Sequence, residues 1–168
     1  MTTATRKESA KTAGVPRTLM LIDGAWVESA KAGFLEVENP ANRRVIGEVP
    51  RAGAEDVDRA VQSATRAFEQ WKLVVPRERG KLLLKIADAM EAQSEALALL
   101  IATETGNALR TQSRPEANGA AEVFRYFGGL ASELKGETVP LGEHVLSYTR
   151  REPIGVVGGI IPWNSPVH

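Results

Sequence analysis

The segment of residues 153–168, PIGVVGGIIPWNSPVH, contains the side chain of this sequence that is best suited to chemistry, the amide of Asn164. Its NH2 group could donate a hydrogen bond to an oxygen that becomes negatively charged during a reaction. A continuous apolar run precedes it, and such runs are typical of parallel strands that are covered on both faces. Because Pro162 cannot donate to a ladder, the strand is predicted to end at Ile161.

The position of Asn164 just beyond this predicted strand suggests a binding role. In open α/β sheets, ligands bind beyond the carboxyl ends of the strands, and Asn164 would lie there. The residues leave a second interpretation open, because Asn164, Ser165 and Pro166 are all frequent in turns and could simply reverse the chain.

The sequence shows no other recognisable catalytic or metal-binding pattern. His144 and His168 are the only histidines, and they give no support for a histidine metal cluster or a catalytic triad. Gly155, Gly158 and Gly159 do not have the G-x-G-x-x-G spacing of the common dinucleotide-binding motif. The absence of Cys excludes disulfides, a cysteine nucleophile and a thiolate metal site within these residues.

Composition narrows the class of protein. The length of 168 residues and the hydrophobic content of 43% predict about one domain with a real core. The balance of 21 basic and 21 acidic residues favours neither nucleic acid nor a membrane as a partner, and neither is expected. Residues 1–18 lack the apolar core of a secretory signal, so a disordered tail and a cytoplasmic location are expected.

The N-terminal elements are predicted to be short strands. Asp23 and Gly24 lie between two apolar runs, which is the pattern of a two-residue β-hairpin. Residues 34–38 and 45–49 are predicted to form two further strands, each followed by a turn or a proline.

Four amphipathic helices are expected to follow. The first covers residues 55–72, and the second and fourth are predicted to begin near Pro76 and Pro115. The third is predicted to have Ser94 as its N-cap and to end at Gly106. The apolar stripes expected to be buried are Val57, Ala60, Val61, Ala64, Ala67, Phe68 and Trp71; Leu83, Ile86, Ala87 and Met90; Leu97, Leu100 and Ile101; and Ala117, Ala120, Ala121, Phe124, Phe127, Ala131 and Leu134.

Residues 143–151 interleave apolar and charged side chains and are predicted to form an exposed strand. Such a strand could pair with the edge of another chain, or it could be one half of a simple surface hairpin.

Several segments, in this order, resemble the N-terminal part of the aldehyde dehydrogenase family. They are IDGAW with a following ENPAN, GEVPRAGAEDVDRAVQSATRAF, PRERGKLLLKIADAM, ATETGNAL, FRYFGGLASELKGETVP and REPIGVVGGIIPWNSP. The resemblance covers nearly everything after residue 18, and its last segment is the most specific.

The resemblance implies an α/β fold, the N-terminal part of the aldehyde dehydrogenase fold. Residues 19–136 would form the β-hairpin and helical layer of a Rossmann-like cofactor domain. Residues 137–152 would supply an oligomerisation strand arm, and residues 153–168 the first strand of the dinucleotide-binding sheet.

The resemblance also implies functional residues. Asn164 matches the oxyanion-hole asparagine of the family. Val37 and Glu104 match positions whose backbone binds a monovalent cation in some members. The site for NAD or NADP would include Ile160, Ile161, Pro162, Trp163 and Asn164.

The activity implied by the resemblance is the oxidation of an aldehyde to a carboxylic acid with NAD(P)+, through a cysteine thiohemiacetal, in a homo-oligomer that is a dimer or a tetramer. The sequence departs from the family because it contains neither the cysteine nor the segment with the catalytic glutamate. It is therefore expected to be an incomplete piece that is inactive alone. Two alternatives are a non-catalytic binding or oligomerisation protein, and a fragment of a related semialdehyde-specific or acylating dehydrogenase.

Overall fold

The computed structural model describes residues 15–31 and 33–167. Within these residues, four short strands precede a layer of helices, and a final hairpin follows it. The elements are β1 (Met20–Ile22), β2 (Ala25–Val27), β3 (Phe34–Asn39), β4 (Arg44–Pro50), α1 (Ala54–Trp71), α2 (Pro76–Glu91), α3 (Ser94–Thr105), a π-helical turn (Leu109–Ser113), α4 (Arg114–Leu130), β5 (Thr138–Pro140) and β6 (Leu146–Tyr148). No helix in this part of the chain is long and apolar enough to cross a membrane.

The predicted hairpin at Asp23 and Gly24 is confirmed. Strands β1 and β2 are antiparallel, and Ile22 lies opposite Ala25. Asp23 has φ 55° and Gly24 has φ 72°, so both central residues of the turn are left-handed. Two-residue hairpin loops favour this conformation because its twist matches that of the flanking strands.

Strands β3 and β4 form a second antiparallel pair, with Phe34 opposite Pro50. The chain before β1 runs alongside β4. The amide of Thr18 donates to the carbonyl of Glu48 at 2.9 Å, and the amide of Glu48 donates to the carbonyl of Pro16 at 3.0 Å. Ordered pairing therefore begins before Leu19, while residues 1–14 of the expected tail lie outside the described residues.

The four predicted helices are present, and small residues dominate their buried contacts. Helices α2, α3 and α4 pack on one another, whereas α1 contacts mainly β1. The N-cap of α3 is Gln93, and Ser94 is its first helical residue, so the expected serine cap is wrong. The buried apolar residues are Ile22, Ala87, Ala98, Ile101, Ala117, Ala120 and Ala121.

Several side chains of the predicted apolar stripes are exposed. More than half of the surface is accessible at Val57 of α1, Leu100 of α3 and Phe127 of α4. Leu134 is 71% accessible. The expectation that they belong to the core is wrong for the chain as described. The reason is that amphipathic spacing identifies the face of a helix that can be covered, but another element must supply the cover.

The geometry of the C-terminal hairpin agrees with the prediction of a simple surface hairpin. Strands β5 and β6 are antiparallel, and Val139 lies opposite Ser147. The amide of Thr149 donates to the carbonyl of Glu137 at 2.8 Å and closes the open end of the hairpin. Pairing with another chain stays a prediction.

Residues 153–162 form no strand, in contrast to the expectation that a buried strand would end at Ile161. The side chains expected to be buried are accessible, with Ile154 exposed by 92% and Ile160 by 101%. The physical reason is that a strand is made by ladder hydrogen bonds, and none of the described strands pairs with this segment.

Candidate functional site

The turn formed by residues 163–167 lies against the helical layer. Its last residue, Val167, packs on a buried cluster of Ala98 and Ile101 from α3 and Ala117 from α4. The turn that contains Asn164 is therefore attached to the buried contact between α3 and α4.

Two hydrogen bonds hold this turn from either end. The side-chain amide of Asn107 donates from Nδ2 to the backbone carbonyl of Asn164 at 3.2 Å. The backbone amide of Val167 donates to Oε1 of Glu116 at 3.1 Å. The backbone on both sides of residues 165 and 166 is thus tied to the helices by polar contacts.

The side chain of Asn164 is exposed, and it makes no hydrogen bond to any other described residue. An asparagine that only shapes a turn commonly bonds its side chain to the nearby backbone. Within the described residues, the amide protons of Asn164 are therefore unpaired, and its role as a binding residue stays a prediction.

Asn107 is positioned by the end of α3. Gly106 caps this helix with φ 77°, a left-handed conformation that glycine adopts without strain, and the predicted stop at Gly106 is confirmed. The amide of Asn107 then donates to Oγ1 of Thr105 at 3.1 Å, and Ser113 Oγ lies 3.5 Å from the carbonyl of Asn107. The π-helical turn Leu109–Ser113 separates Asn107 from α4, and such turns are frequent at functional sites.

Glu116 lies in the first turn of α4, which is fastened to α3 by an ion pair. Arg114 donates from Nε and Nη2 to the two carboxylate oxygens of Glu95 at 2.8 and 2.7 Å. These hydrogen bonds lower the pKa of Glu95 below its ordinary value and raise the pKa of Arg114. The bidentate pair joins the first residue of α4 to the first turn of α3.

The residues predicted to bind the cofactor follow one another along the chain. The structure places the side chains of Ile160, Ile161, Pro162 and Trp163 in exposed positions that lead directly into the turn with Asn164. They form an accessible apolar segment beside a free amide donor.

The residues predicted to bind a cation lie on two elements that contact each other, β3 and α3. Val37 is at a β-bulge, because the register of β3 shifts between Val37 and Glu38. Glu104 is in the last turn of α3, where carbonyl groups lack helical partners and can accept other ligands. No group of three or more His, Cys, Asp or Glu side chains among the described residues could hold a metal ion.

The sequence interpretation missed Asn107 and Glu116. Their partners lie 57 and 51 residues away along the chain, so no local pattern relates them to the turn. The only local feature of Glu116 is its position in the first turn of a helix. Acidic residues are common there because they interact favourably with the helix dipole, so this position does not indicate a contact with the turn.

Comparison with known proteins identifies the family. The profile described as "Aldehyde dehydrogenase family" matches residues 26–168. An aldehyde dehydrogenase of Aspergillus niger is 42% identical over 149 residues, which are 88% of this chain and 30% of that protein.

Two solved structures have the same fold in this region. The NAD-dependent aldehyde dehydrogenase of Sinorhizobium meliloti superposes with a TM-score of 0.86 at 37% identity, covering 91% of this chain and 31% of that one. The betaine aldehyde dehydrogenase of Staphylococcus aureus, a double mutant solved in complex with NAD+, has a TM-score of 0.83 at 38% identity and covers 89% of this chain and 30% of that one.

The chain thus spans about 30% of the length of the relatives that it matches. The α/β arrangement of its hairpins and helices agrees with the expected N-terminal part of the fold. Because the family profile covers well over half of these residues, the chain belongs to the aldehyde dehydrogenase family.

Proposed function

We propose that this chain is the N-terminal part of an NAD(P)-dependent dehydrogenase that oxidises an aldehyde to a carboxylic acid. The observation that carries the proposal is the state of Asn164, whose backbone is held by the helical layer while its side-chain amide makes no hydrogen bond to another described residue. Membership of the family supplies the reaction class.

In this proposal, Asn164 donates a hydrogen bond to the substrate oxygen as negative charge develops on it. A donor aimed at this oxygen stabilises the transition state more than the ground state. The thiolate that attacks the aldehyde carbon must come from outside these residues, which contain no Cys.

The cofactor, NAD or NADP, would be bound by Ile160, Ile161, Pro162, Trp163 and Asn164. Their exposed apolar surfaces fit a cofactor that has flat rings, and a relative from Staphylococcus aureus was solved with NAD+. When bound, the nicotinamide ring accepts the hydride that leaves the substrate carbon.

Two further features complete the proposal. The backbone carbonyls of Val37 and Glu104 would hold a monovalent cation, which would fasten β3 to the end of α3. The β5–β6 hairpin would serve as an oligomerisation arm in a cytoplasmic homodimer or homotetramer, because a two-stranded sheet leaves outer edges available for pairing.

The decisive experiment is the Asn164→Ala variant of a full-length dehydrogenase that contains these residues. We expect turnover to fall by about 10² to 10³, the usual loss for one oxyanion donor, and NAD(P) binding to weaken far less. Asn118→Ala, an exposed asparagine of α4, is the matched control and should retain normal turnover. Near-normal turnover of Asn164→Ala would show that this residue only shapes the turn.

A second experiment uses the 168-residue chain itself. We expect no NAD(P)-linked oxidation of any aldehyde, because the chain has no thiol nucleophile. Turnover above a buffer blank, in protein free of host dehydrogenases, would contradict this expectation.

Reading the DNA downstream distinguishes an enzyme from the alternative binding protein, since only the enzyme requires an open frame that continues into a domain with a cysteine.

A further inference from the structure

We propose that Glu116 and Asn107 are positioning residues that set the location of the Asn164 amide. The inference rests on the proposed oxyanion role of Asn164. It assigns a catalytic purpose to two contacts that join the turn to the start of α4 and to the end of α3.

Glu116 is well suited to such a role because the turn is its only polar contact in the described structure. Its carboxylate is half-buried, and it accepts the amide proton of Val167 at 3.1 Å. It forms no ion pair with any described residue, unlike Glu91 and Glu95 on the neighbouring helices. A hydrogen bond to a carboxylate is stronger than a neutral one, so this contact can fix the backbone position.

Asn107 acts at the other end of the turn. Its side-chain amide donates to the carbonyl of Asn164, which belongs to the same residue as the proposed oxyanion donor. Because the Asn164 side chain is short, the position of its amide follows the position of its backbone. The hydrogen bond from Asn107 therefore limits the movement of the donor without contacting the substrate.

Small displacements of such a donor have large effects on rate. Catalytic groups must be held within about 0.5 Å of the productive geometry. A misplacement of about 1 Å can cost about 10²-fold in rate. Loss of the contact at Glu116 frees the backbone of Val167, three residues beyond Asn164. Val167 is close enough in the chain for this change to move the Asn164 amide by about 1 Å.

The test uses variants of the full-length dehydrogenase. We expect Glu116→Ala to lower kcat by about tenfold or more and to raise the NAD(P) dissociation constant by a smaller factor. Glu116→Gln keeps an acceptor oxygen and should recover most of the lost turnover. Asn107→Ala removes the donor without adding a charge and should lower kcat by about two- to tenfold, as expected for one neutral hydrogen bond.

Glu122→Ala is the matched control, since Glu122 is an exposed glutamate of the same helix without a hydrogen bond or ion pair to another described residue. It should leave kcat unchanged. The double variant Glu116→Ala/Asn164→Ala should be no slower than Asn164→Ala alone, because the two residues act through one group. Losses that multiply in the double variant would contradict the inference and indicate general destabilisation.

Hydrogen exchange of the Val167 amide in the same proteins separates this inference from the proposed function. Exchange should accelerate in Glu116→Ala and not in Glu122→Ala. If Asn164→Ala is slow but Glu116→Ala has normal turnover, the inference is wrong and the proposed function stands. If Asn164→Ala has normal turnover, the oxyanion role fails and with it the positioning role, while faster exchange would still show that Glu116 anchors the turn.

Discussion

Gly80 of α2 and Gly128 of α4 lie against each other where the two helices cross, and a Cβ built on Gly80 would lie 2.6 Å from the carbonyl oxygen of Gly128. A Cβ on Gly128 would in turn lie 3.1 Å from Cδ2 of Leu84. The backbones approach this closely only because neither position has a side chain. The helical layer that supports the turn with Asn164 depends on this contact, since α2 and α4 share the largest helix interface in the described structure.

We expect Gly80→Ala to destabilise the chain by about 1–3 kcal/mol, because the helices must move apart or bend to admit the methyl group. Gly129→Ala, in the same helix as Gly128, is the control, since a Cβ there meets nothing within 4 Å. That variant should be neutral or more stable by about 0.4–1 kcal/mol. Urea denaturation of both variants measures the difference, and equal free energies of unfolding would argue against a close helix contact.

Ile101 and Ile160 have the same side chain in opposite environments. Ile101 of α3 is exposed by only 3%, whereas Ile160 is fully accessible at 101%. In the 168-residue chain, Ile101→Ala should cost about 2–5 kcal/mol, and Ile160→Ala should change the free energy of unfolding by less than about 0.5 kcal/mol. Chemical denaturation of both variants tests this contrast. A large loss for Ile160→Ala would mean that the segment before Pro162 is packed in solution.

Features set by neighbouring residues could be predicted from the sequence. The Asp23–Gly24 turn and the helix stop at Gly106 both depend on left-handed backbone conformations at specific residues, and the residue types predict both. The α-helices follow from apolar residues at intervals of three and four, a pattern that is contained in each segment.

Features that depend on distant partners could not be predicted. The strand expected to end at Ile161 is absent because strand formation requires a paired neighbour, which the described part of the chain does not supply. The exposure of Val57 has the same origin. The contacts of Asn107 and Glu116 with the turn join residues more than 50 positions apart, and one sequence contains no signal of such proximity.

The exposed indole of Trp163 should contribute to cofactor binding more than to turnover. Trp163 is 81% accessible in this chain, so its removal should not disturb the helical layer. In the full-length dehydrogenase, we expect Trp163→Ala to raise the NAD(P) dissociation constant by about tenfold or more, as for the loss of one aromatic contact surface. Trp71→Ala, on α1, should leave it unchanged. Fluorescence titration with NAD(P) measures both, and an unchanged constant for Trp163→Ala would remove this residue from the cofactor site.

Asp56 joins the start of α1 to the loop after β2. Its carboxylate is buried and accepts hydrogen bonds from the amides of Gly53 and Ala30, each at 3.0 Å, and from Oγ of Ser29 at 2.9 Å. The hydrogen bond from Gly53, followed by that from Ala30, holds the pKa of Asp56 below its ordinary value. Because the folded pKa is the lower one, ionised Asp56 stabilises the folded state above its unfolded pKa, which is about 4.

Acidification should therefore remove this stabilisation as the pH falls through the folded pKa of Asp56. Asp56→Asn should be less stable than the parent at neutral pH, because an amide offers one acceptor oxygen in place of two. Its NH2 group would also face the groups that donate to the carboxylate in the parent. The difference in free energy of unfolding between the parent and Asp56→Asn should shrink as the pH falls below about 4, because the parent carboxylate becomes protonated. Asp58→Asn, at an exposed position of the same helix, is the matched control and should have nearly the parent's stability at neutral pH. The measurement is urea denaturation of the three proteins from pH 7 to about pH 3. A difference between Asp56→Asn and the parent that stays constant over this range would show that the charge of Asp56 does not stabilise the fold.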